Sequence, residues 1–192
     1  MVRLNKIDGQ ALVTGSLPYS EWPLDFLVDY VVYVHHGYLR QTFTTLRDHI
    51  ENFVAEHPQK YTYSDELLQQ FMKLQGTLPD FMKQQEELIF PYVKQVSRAY
   101  QSKESFAGLL TRTLRKPVER VLSQEHQLVT TVLQRLRELT NNYNLPGTAS
   151  NHQTAVFMKL HELDNDLAQH LYLENKIVLP RLLAIESELN KQ

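Results

Sequence analysis

A histidine and a glutamate stand four residues apart in the segment His170-Leu-Tyr-Leu-Glu174. Residues at this spacing lie on one face of a helix, one turn apart. Imidazole nitrogens and carboxylate oxygens are ligands for zinc, iron and manganese. The segment therefore predicts that His170 and Glu174 can bind the same metal ion.

An earlier segment repeats this pattern with both chemical groups replaced. Phe81 and Gln85 lie 89 residues before His170 and Glu174, and in both segments a proline follows six residues after the fifth position. We interpret the two segments as copies of one ancestral helix. Phe81 and Gln85 then occupy positions at which the second copy carries its candidate ligands.

Four stretches of the chain place apolar residues at steps of three and four, which predicts amphipathic helices. Proline and capping signals bound them, and Gly76 and Pro79 predict a bend in the second helix rather than a break. Residues near 98–112 form a polar connection, and a loop follows residue 140. The predicted helices run from Ser20 to His57, from Ser64 to about residue 97, from Pro117 to about residue 140, and from Ser150 to about residue 189.

The third and fourth apolar stripes overlay the first and second at offsets of 90 and 89 residues. A duplicated helix pair predicts an all-α protein, an antiparallel up-down four-helix bundle with internal two-fold symmetry. We expect residues 1–19 to form a loosely structured lead-in and residues 20–192 to form the bundle. His36 and His126 occupy matching stripe positions, so we expect both to meet His170 and Glu174 at one depth of the core.

Polar side chains inside a bundle need partners, because an unpaired buried group costs a few kcal/mol. One solution is a self-satisfied cluster, such as a protonated histidine against Glu174. The other is a metal ion held by His36, His126, His170 and Glu174. The symmetric placement of these residues favours the metal ion.

Composition excludes several other classes of protein. The formal net charge of −2 gives no reason to expect a nucleic-acid partner. The sequence has no cysteine, which excludes thiolate ligands and disulfides and fits a reducing compartment. No apolar run is long enough to span a bilayer and the N-terminus lacks a signal-peptide core, so we expect no membrane partner and a cytoplasmic location.

Several segments resemble the hemerythrin-like (HHE) domain of the iron–sulfur cluster repair di-iron family. The matching segments are Trp22–Tyr30, His35–Arg40, Pro117–His126, Leu139–Tyr143 and Leu173–Arg181. The resemblance implies a non-haem di-iron centre and a role in restoring iron–sulfur clusters damaged by oxidative or nitrosative stress. It implies iron ligands at His36, His126, His170 and Glu174, with Glu174 bridging.

The sequence departs from the family pattern at Phe81, where the family has a ligand histidine, and at Gln85, where it has a second bridging glutamate. Residues 1–19 also lack the paired cysteines of the domain that often precedes the bundle in this family. A glutamine removes a carboxylate that a missing ion would leave unneutralised. We therefore expect one ion held by His36, His170 and Glu174, with two ions only if the lost ligands are restored.

These expectations define one main function and two alternatives. The main hypothesis is a non-haem iron protein in iron handling or cluster repair under stress, with an iron–sulfur protein as client and manganese or zinc as alternative metals. The second hypothesis is a metal-free bundle that serves as an interaction or sensory module. The third is a mononuclear iron enzyme acting on a small molecule, although we expect a binding protein rather than an enzyme.

Two further histidines have expected places around the ion. His126 would either bind the ion as an additional ligand or donate a hydrogen bond to one of its ligands. His35 should lie at the surface or beside a ligand.

Overall fold

A computed structural model describes residues 17–56, 61–114 and 117–191, and within these ranges the chain is almost entirely helical, without a β-strand. The first element of the described residues is a short 3₁₀ turn at Tyr19–Glu21. The helices that follow are α1 (Leu24–Tyr30), α2 (Gly37–Glu56), α3 (Ser64–Gln84), α4 (Phe90–Gln101), α5 (Ala107–Leu114), α6 (Val118–Leu139), α7 (Asn151–Tyr172) and α8 (Leu179–Leu189). The predicted all-helical class is confirmed.

Three π-helical turns join these helices into longer rods. Turn π1 (Val31–His36) joins α1 to α2, π2 (Gln85–Ile89) joins α3 to α4, and π3 (Leu173–Val178) joins α7 to α8. With α6, they give long helical segments over 24–56, 64–101, 118–139 and 151–189, close to the predicted bounds. The connection predicted near 98–112 contains an additional helix, α5.

Proline explains two of the π turns. Helix α3 runs through Gly76 and Pro79 without interruption, as predicted. Pro91 and Pro180 are the second residues of α4 and α8, directly after π2 and π3. A proline has no N–H for the carbonyl four residues before it and its ring crowds that carbonyl, so the helix widens there.

The apolar core is divided into two clusters along the long axes of the helices. One cluster contains buried residues of α1, α4, α5 and α8 with the first turns of α6, up to Leu122. The other contains those of α2, α3 and α7 with the rest of α6, from Val129 onwards. Every long helical segment therefore passes from one cluster to the other, and the level between them is free for polar side chains.

Helix contacts follow the same division. Helix α2 packs against α3 and α7, and α3 packs against α6. At the other end, α4 packs against α1 and α8, and α5 covers α4 and α8. Helix α7 starts at Ser150, whose Oγ accepts a hydrogen bond from the Gln153 N–H at 3.1 Å. This contact caps the helix.

The predicted lead-in, residues 1–19, lies outside the described residues except for its last three, of which Tyr19 is buried. Within the described ranges, no helix combines the length and the apolar character needed to cross a bilayer.

Two glycines predict opposite effects of substitution by alanine. A Cβ on Gly108 of α5 would lie 2.8 Å from the Leu189 carbonyl oxygen, whereas a Cβ on Gly76 of α3 would meet nothing within 4 Å. Gly76→Ala should stabilise the protein by about 0.5–1 kcal/mol, because alanine loses less backbone entropy in a helix. Gly108→Ala should destabilise it by about 1–3 kcal/mol, because α5 must move away from α8. Urea unfolding of both variants tests this, and equal effects would contradict it.

Candidate metal centre

A buried polar layer lies between the two apolar clusters. Eight side-chain nitrogen and oxygen atoms in this layer are buried without a hydrogen-bond partner among the described residues. They belong to His35, His36, Gln85, Glu125, His170 and Glu174, all 0–1% exposed. Unpaired buried polar atoms are rare in folded proteins and each costs about 1–3 kcal/mol. A cluster of eight such atoms suits a bound cation.

His36 lies at the end of π1 and is held by a carboxylate from π2. Its Nδ1 lies 2.6 Å from Oε1 of Glu86, which also contacts the exposed guanidinium of Arg40. A carboxylate next to Nδ1 makes that nitrogen the N–H donor, which leaves the Nε2 lone pair free to bind a metal. His36 Nε2 is one of the unpaired atoms.

His35 is also buried and lies beside the candidate ligand His170, which is the second of the two places that the sequence predicted. Its Nδ1 lies 2.9 Å from Oδ1 of Asp166, and its Nε2 is unpaired. The ring stacks on His170 with centroids 5.6 Å apart and planes 7° apart. Both histidines of the pair therefore present Nε2 to the layer, each oriented by a carboxylate from another helix.

His170 and Glu174 meet as their spacing predicted. His170 Nε2 lies 3.1 Å from Glu174 Oε1 without forming a hydrogen bond, and both oxygens of Glu174 are unpaired. One ligand atom from each of His36, His170 and Glu174 lies within 4.8 Å of the other two. This is a two-histidine, one-carboxylate arrangement.

His126 does not join this group, and the predicted register of α6 needs correction. His126 is exposed, on the wall of a surface hollow of about 310 Å³, whereas its neighbour Glu125 is 0% exposed. The buried stripe of α6 runs from Leu122 through Glu125 to Val129. A step of three followed by four (Leu122, Glu125, Val129) and a step of four followed by three (Leu122, His126, Val129) both follow one face of a helix. In the structure the first set faces the core.

Glu125 contacts Gln85, one of the two residues at which the first copy lacks the candidate ligand of the second. Gln85 donates a hydrogen bond from Nε2 to Glu125 Oε2, while Gln85 Oε1 and Glu125 Oε1 remain unpaired. Phe81, at the other replaced position, is half-buried and packs against the apolar cluster of α1, α4 and α8. The wall that carries Glu125 thus holds a neutral amide, and the ring at position 81 packs on the neighbouring apolar cluster and offers no donor atom.

Comparison with known proteins agrees with this arrangement. The hemerythrin HHE cation-binding domain profile matches residues 28–182, which include every side chain of the layer. The chain belongs to the hemerythrin HHE family. It is also 26% identical over 164 residues to proteins named iron–sulfur cluster repair protein YtfE from Escherichia coli O81 and Escherichia fergusonii. That similarity covers 85% of this chain and 68% of each relative.

Burial controls the charges in this hemerythrin-like centre. It raises the pKa of Glu174 to about 8 and, with the nearby charge of Glu174, raises the pKa of Glu125 to about 8. It lowers the pKa of His36 to about 4, despite the opposing effect of Glu86, and lowers the pKa of His170. Without a metal, His36 and His170 are therefore neutral imidazoles, and Glu125 and Glu174 are protonated carboxyls, near neutral pH. Neutral imidazole is the metal-binding form, and Glu174 must lose its proton to bind.

The donor set fits a non-haem metal. Two imidazoles and a carboxylate with open positions are typical of mononuclear non-haem iron, and the same set also binds zinc. Each imidazole of the His35–His36 pair is oriented by an outer carboxylate, as metal-binding histidines commonly are. The residues present therefore fit a divalent cation, with His35 Nε2 and Glu125 Oε1 as additional donors nearby.

Glu86 connects the centre of this hemerythrin-like bundle with solvent. It is 26% exposed and lies, with Arg40 and Lys83, on the wall of a surface hollow of about 370 Å³ between α2 and α3. Within the described structure, one carboxylate thus contacts both a buried ligand and the surface.

Glu86→Gln should weaken metal binding about 10–100-fold, because the His36 tautomer and basicity depend on this carboxylate. Glu87→Gln, which changes the exposed neighbouring residue, is the matched control. Competition against a chromophoric chelator measures both affinities. Equal affinities for the two variants would show that Glu86 does not orient a ligand.

Proposed function

We propose that this hemerythrin-like chain binds one non-haem iron ion through His36, His170 and Glu174. The observation that carries the proposal is the cluster of eight unpaired buried atoms between the two apolar cores. A self-satisfied cluster would use these atoms in hydrogen bonds with one another, whereas His170 Nε2 and Glu174 Oε1 lie at ion-pair distance, 3.1 Å, without forming one. Their unpaired state weighs against the metal-free alternative, because a stable bundle with no bound ion would have to bear the desolvation of each.

The opposite wall of the layer supports one ion rather than two. Gln85 offers a neutral amide oxygen and engages Glu125 with its amide nitrogen. Phe81 has no donor atom at all. Glu125, with its raised pKa, tends to keep its proton near neutral pH and so adds little negative charge to attract a second cation. Manganese or zinc would suit the same donors.

The physiological role that we propose is iron handling in the cell, including the repair of iron–sulfur clusters under oxidative or nitrosative stress. The names of the relatives from Escherichia motivate this role, and an iron–sulfur protein would be the client. Bound iron would supply one-electron redox chemistry and a transferable ion. The chain's own residues hold it: Glu86 and Asp166 orient two imidazoles, and the apolar clusters exclude water. We place the protein in the cytoplasm, without a nucleic-acid or membrane partner.

We further infer that residues 20–192 form one domain, an antiparallel up-down four-helix bundle with an internal two-fold repeat. The pairwise packing of α2 with α3 and α7, and of α3 with α6, supports this topology. So does the occurrence of π turns at matching places, π2 and π3, in the two copies.

Metal analysis tests the proposal directly. Protein purified without chelator and loaded anaerobically with ferrous iron should contain one ion per chain. His170→Ala should abolish binding, while His126→Ala should leave it unchanged because His126 faces outward. Two tightly held ions, no ion after loading, or loss of binding in His126→Ala would each contradict the proposal.

The affinity should also rise with pH, by about tenfold per pH unit below pH 8, because binding displaces one proton from Glu174. His36 and His170, with lowered pKa values, are already neutral and release none. Titration calorimetry in buffers of different ionisation enthalpy counts the released protons. Release of no proton at pH values near 7 would show that Glu174 is not a ligand.

A further inference from the structure

A line of aromatic rings leads from the candidate metal centre to the surface at the start of α1. Trp22, the only tryptophan, is partly exposed and lies against Tyr30, with ring centroids 5.2 Å apart. Tyr30 lies 5.7 Å from His35, which stacks on the candidate ligand His170 at 5.6 Å. Neighbouring rings in this line are thus in contact from Trp22 to the centre.

A second tyrosine, Tyr19, lies beside this line and connects the Tyr30 hydroxyl to a hydrogen-bond network. The Tyr30 hydroxyl lies 3.4 Å from the hydroxyl of Tyr19, and Gln169 donates a hydrogen bond from Nε2 to the Tyr19 hydroxyl. Tyr19 also packs edge-on against Trp22 with centroids 4.8 Å apart. A phenol loses its proton when it is oxidised, so an ordered hydroxyl partner favours oxidation of Tyr30. Trp22, at the outer end of the line, is partly exposed, so protons can exchange with solvent there.

We propose that Trp22 and Tyr30 donate one electron to the metal centre when it reacts with a peroxide. The inference rests on the single-ion site proposed above. Reduction of hydrogen peroxide to two waters takes two electrons, and one ferrous ion going to ferric supplies one. The Trp22–Tyr30 pair supplies the other electron and one of the two protons that the waters need, and the second proton comes from solvent.

With Tyr30 as the electron donor, the balanced step is Fe²⁺ + TyrOH + H₂O₂ + H⁺ → Fe³⁺ + TyrO• + 2 H₂O. The O–O bond breaks, both oxygens become water, and the phenol O–H bond breaks. If the electron comes from Trp22, its indole N–H loses the proton instead. His35 and His170 carry the electron by tunnelling through their stacked rings and are not consumed. Without this donor the second electron would come from the nearest oxidisable groups, the ligand imidazoles themselves.

Freeze-quenching tests the inference with the full chain carrying one ferrous ion. After anaerobic mixing with one equivalent of hydrogen peroxide, electron paramagnetic resonance should show a tyrosyl or tryptophanyl radical. Mass spectrometry of peptides should find the oxidised products at Trp22 and Tyr30. The zinc-loaded protein should give neither signal, because zinc supplies no electron.

Conservative variants locate the donor. Trp22→Phe with Tyr30→Phe keeps the rings packed and should lose the radical, with oxidation moving to His35 and His170. Tyr33→Phe is the matched control, because it removes the hydroxyl of an 80% exposed tyrosine on the same helical segment. This control should leave the radical unchanged, and its loss there would place the donor outside the Trp22–Tyr30 pair.

The outcomes separate the two proposals. If metal analysis before mixing finds no iron, or two ions, the single-ion function fails, and with it the need for a protein electron. If one ion is bound but the wild type shows oxidation only at histidines, the inference alone fails. A radical that persists in the double variant would also overturn it. The product positions in the wild type decide the question even if the double variant does not fold.

Discussion

Glu174→Gln should abolish tight metal binding and, at the same time, stabilise the metal-free protein. Glutamine keeps the volume of the side chain but removes the charge that the ion needs. Loss of a charged ligand from a three-donor site should lower affinity at least as much as loss of an outer carboxylate, which costs about 10–100-fold. The expected gain in metal-free stability follows from the burial of Glu174, which is 0% exposed.

The stability effect has its origin in the raised pKa of Glu174. Burial raises the pKa of Glu174 in the folded protein to about 8, above the value of about 4.3 for an unfolded chain. The contribution of such a group is fully present below the unfolded pKa and is lost as pH rises through the folded pKa. Glu174→Gln removes this loss. The free energy of unfolding of the metal-free variant should therefore exceed that of the wild type by an amount that grows between about pH 6 and pH 8 and reaches the order of a few kcal/mol.

Urea unfolding of the metal-free protein at about pH 6 and about pH 8 measures the difference in stability. Competition with a chelator measures the affinity for the metal. Glu162→Gln, a half-exposed position on the same helical segment that pairs with Lys159, is the control. A variant that binds iron as tightly as the wild type would remove Glu174 from the ligand set. A destabilised metal-free variant would show that the carboxyl is held by contacts that the structure does not contain.

Restoring the two lost donors should change the number of bound ions from one to two. Phe81→His with Gln85→Glu adds an imidazole at position 81 and a carboxylate in contact with Glu125. The new carboxylate would replace the amide that donates to Glu125 Oε2. Two buried carboxylates in contact cannot both ionise without an added cation. The metal-free double variant should therefore lose on the order of a few kcal/mol and regain it when metal is added.

Elemental analysis counts the ions, and thermal unfolding with and without metal measures the stability. Gln85→Glu with Glu125→Gln is the matched control, because it exchanges the amide and the carboxylate and keeps one of each in contact. This control should be more stable without metal than Gln85→Glu alone. One ion per chain in the restored variant would show that the helices have repacked around Phe81 and no longer leave room for a second cation.

The sequence by itself determined the helices and brought together the candidate ligands His170 and Glu174. Apolar steps of three and four depend only on the helical period, and His170 with Glu174 is a contact within one helical turn. The repeat at an offset of 89 residues identified Phe81 and Gln85 as the altered positions. These features are local or internal to the chain and require no knowledge of how the helices pack.

Only the tertiary structure decided which neighbours of these residues enter the core. On α6, Glu125 and His126 both fit the stripe, and the rotation of the helix against α3 placed the glutamate inside. In π1, His35 and His36 are both buried, because the wider turn brings neighbouring residues closer in direction than the about 100° of a regular helix. The carboxylates that orient them, Asp166 and Glu86, come from positions 131 and 50 residues away. Rotation, widened turns and distant partners arise from packing between helices, so no local pattern encodes them.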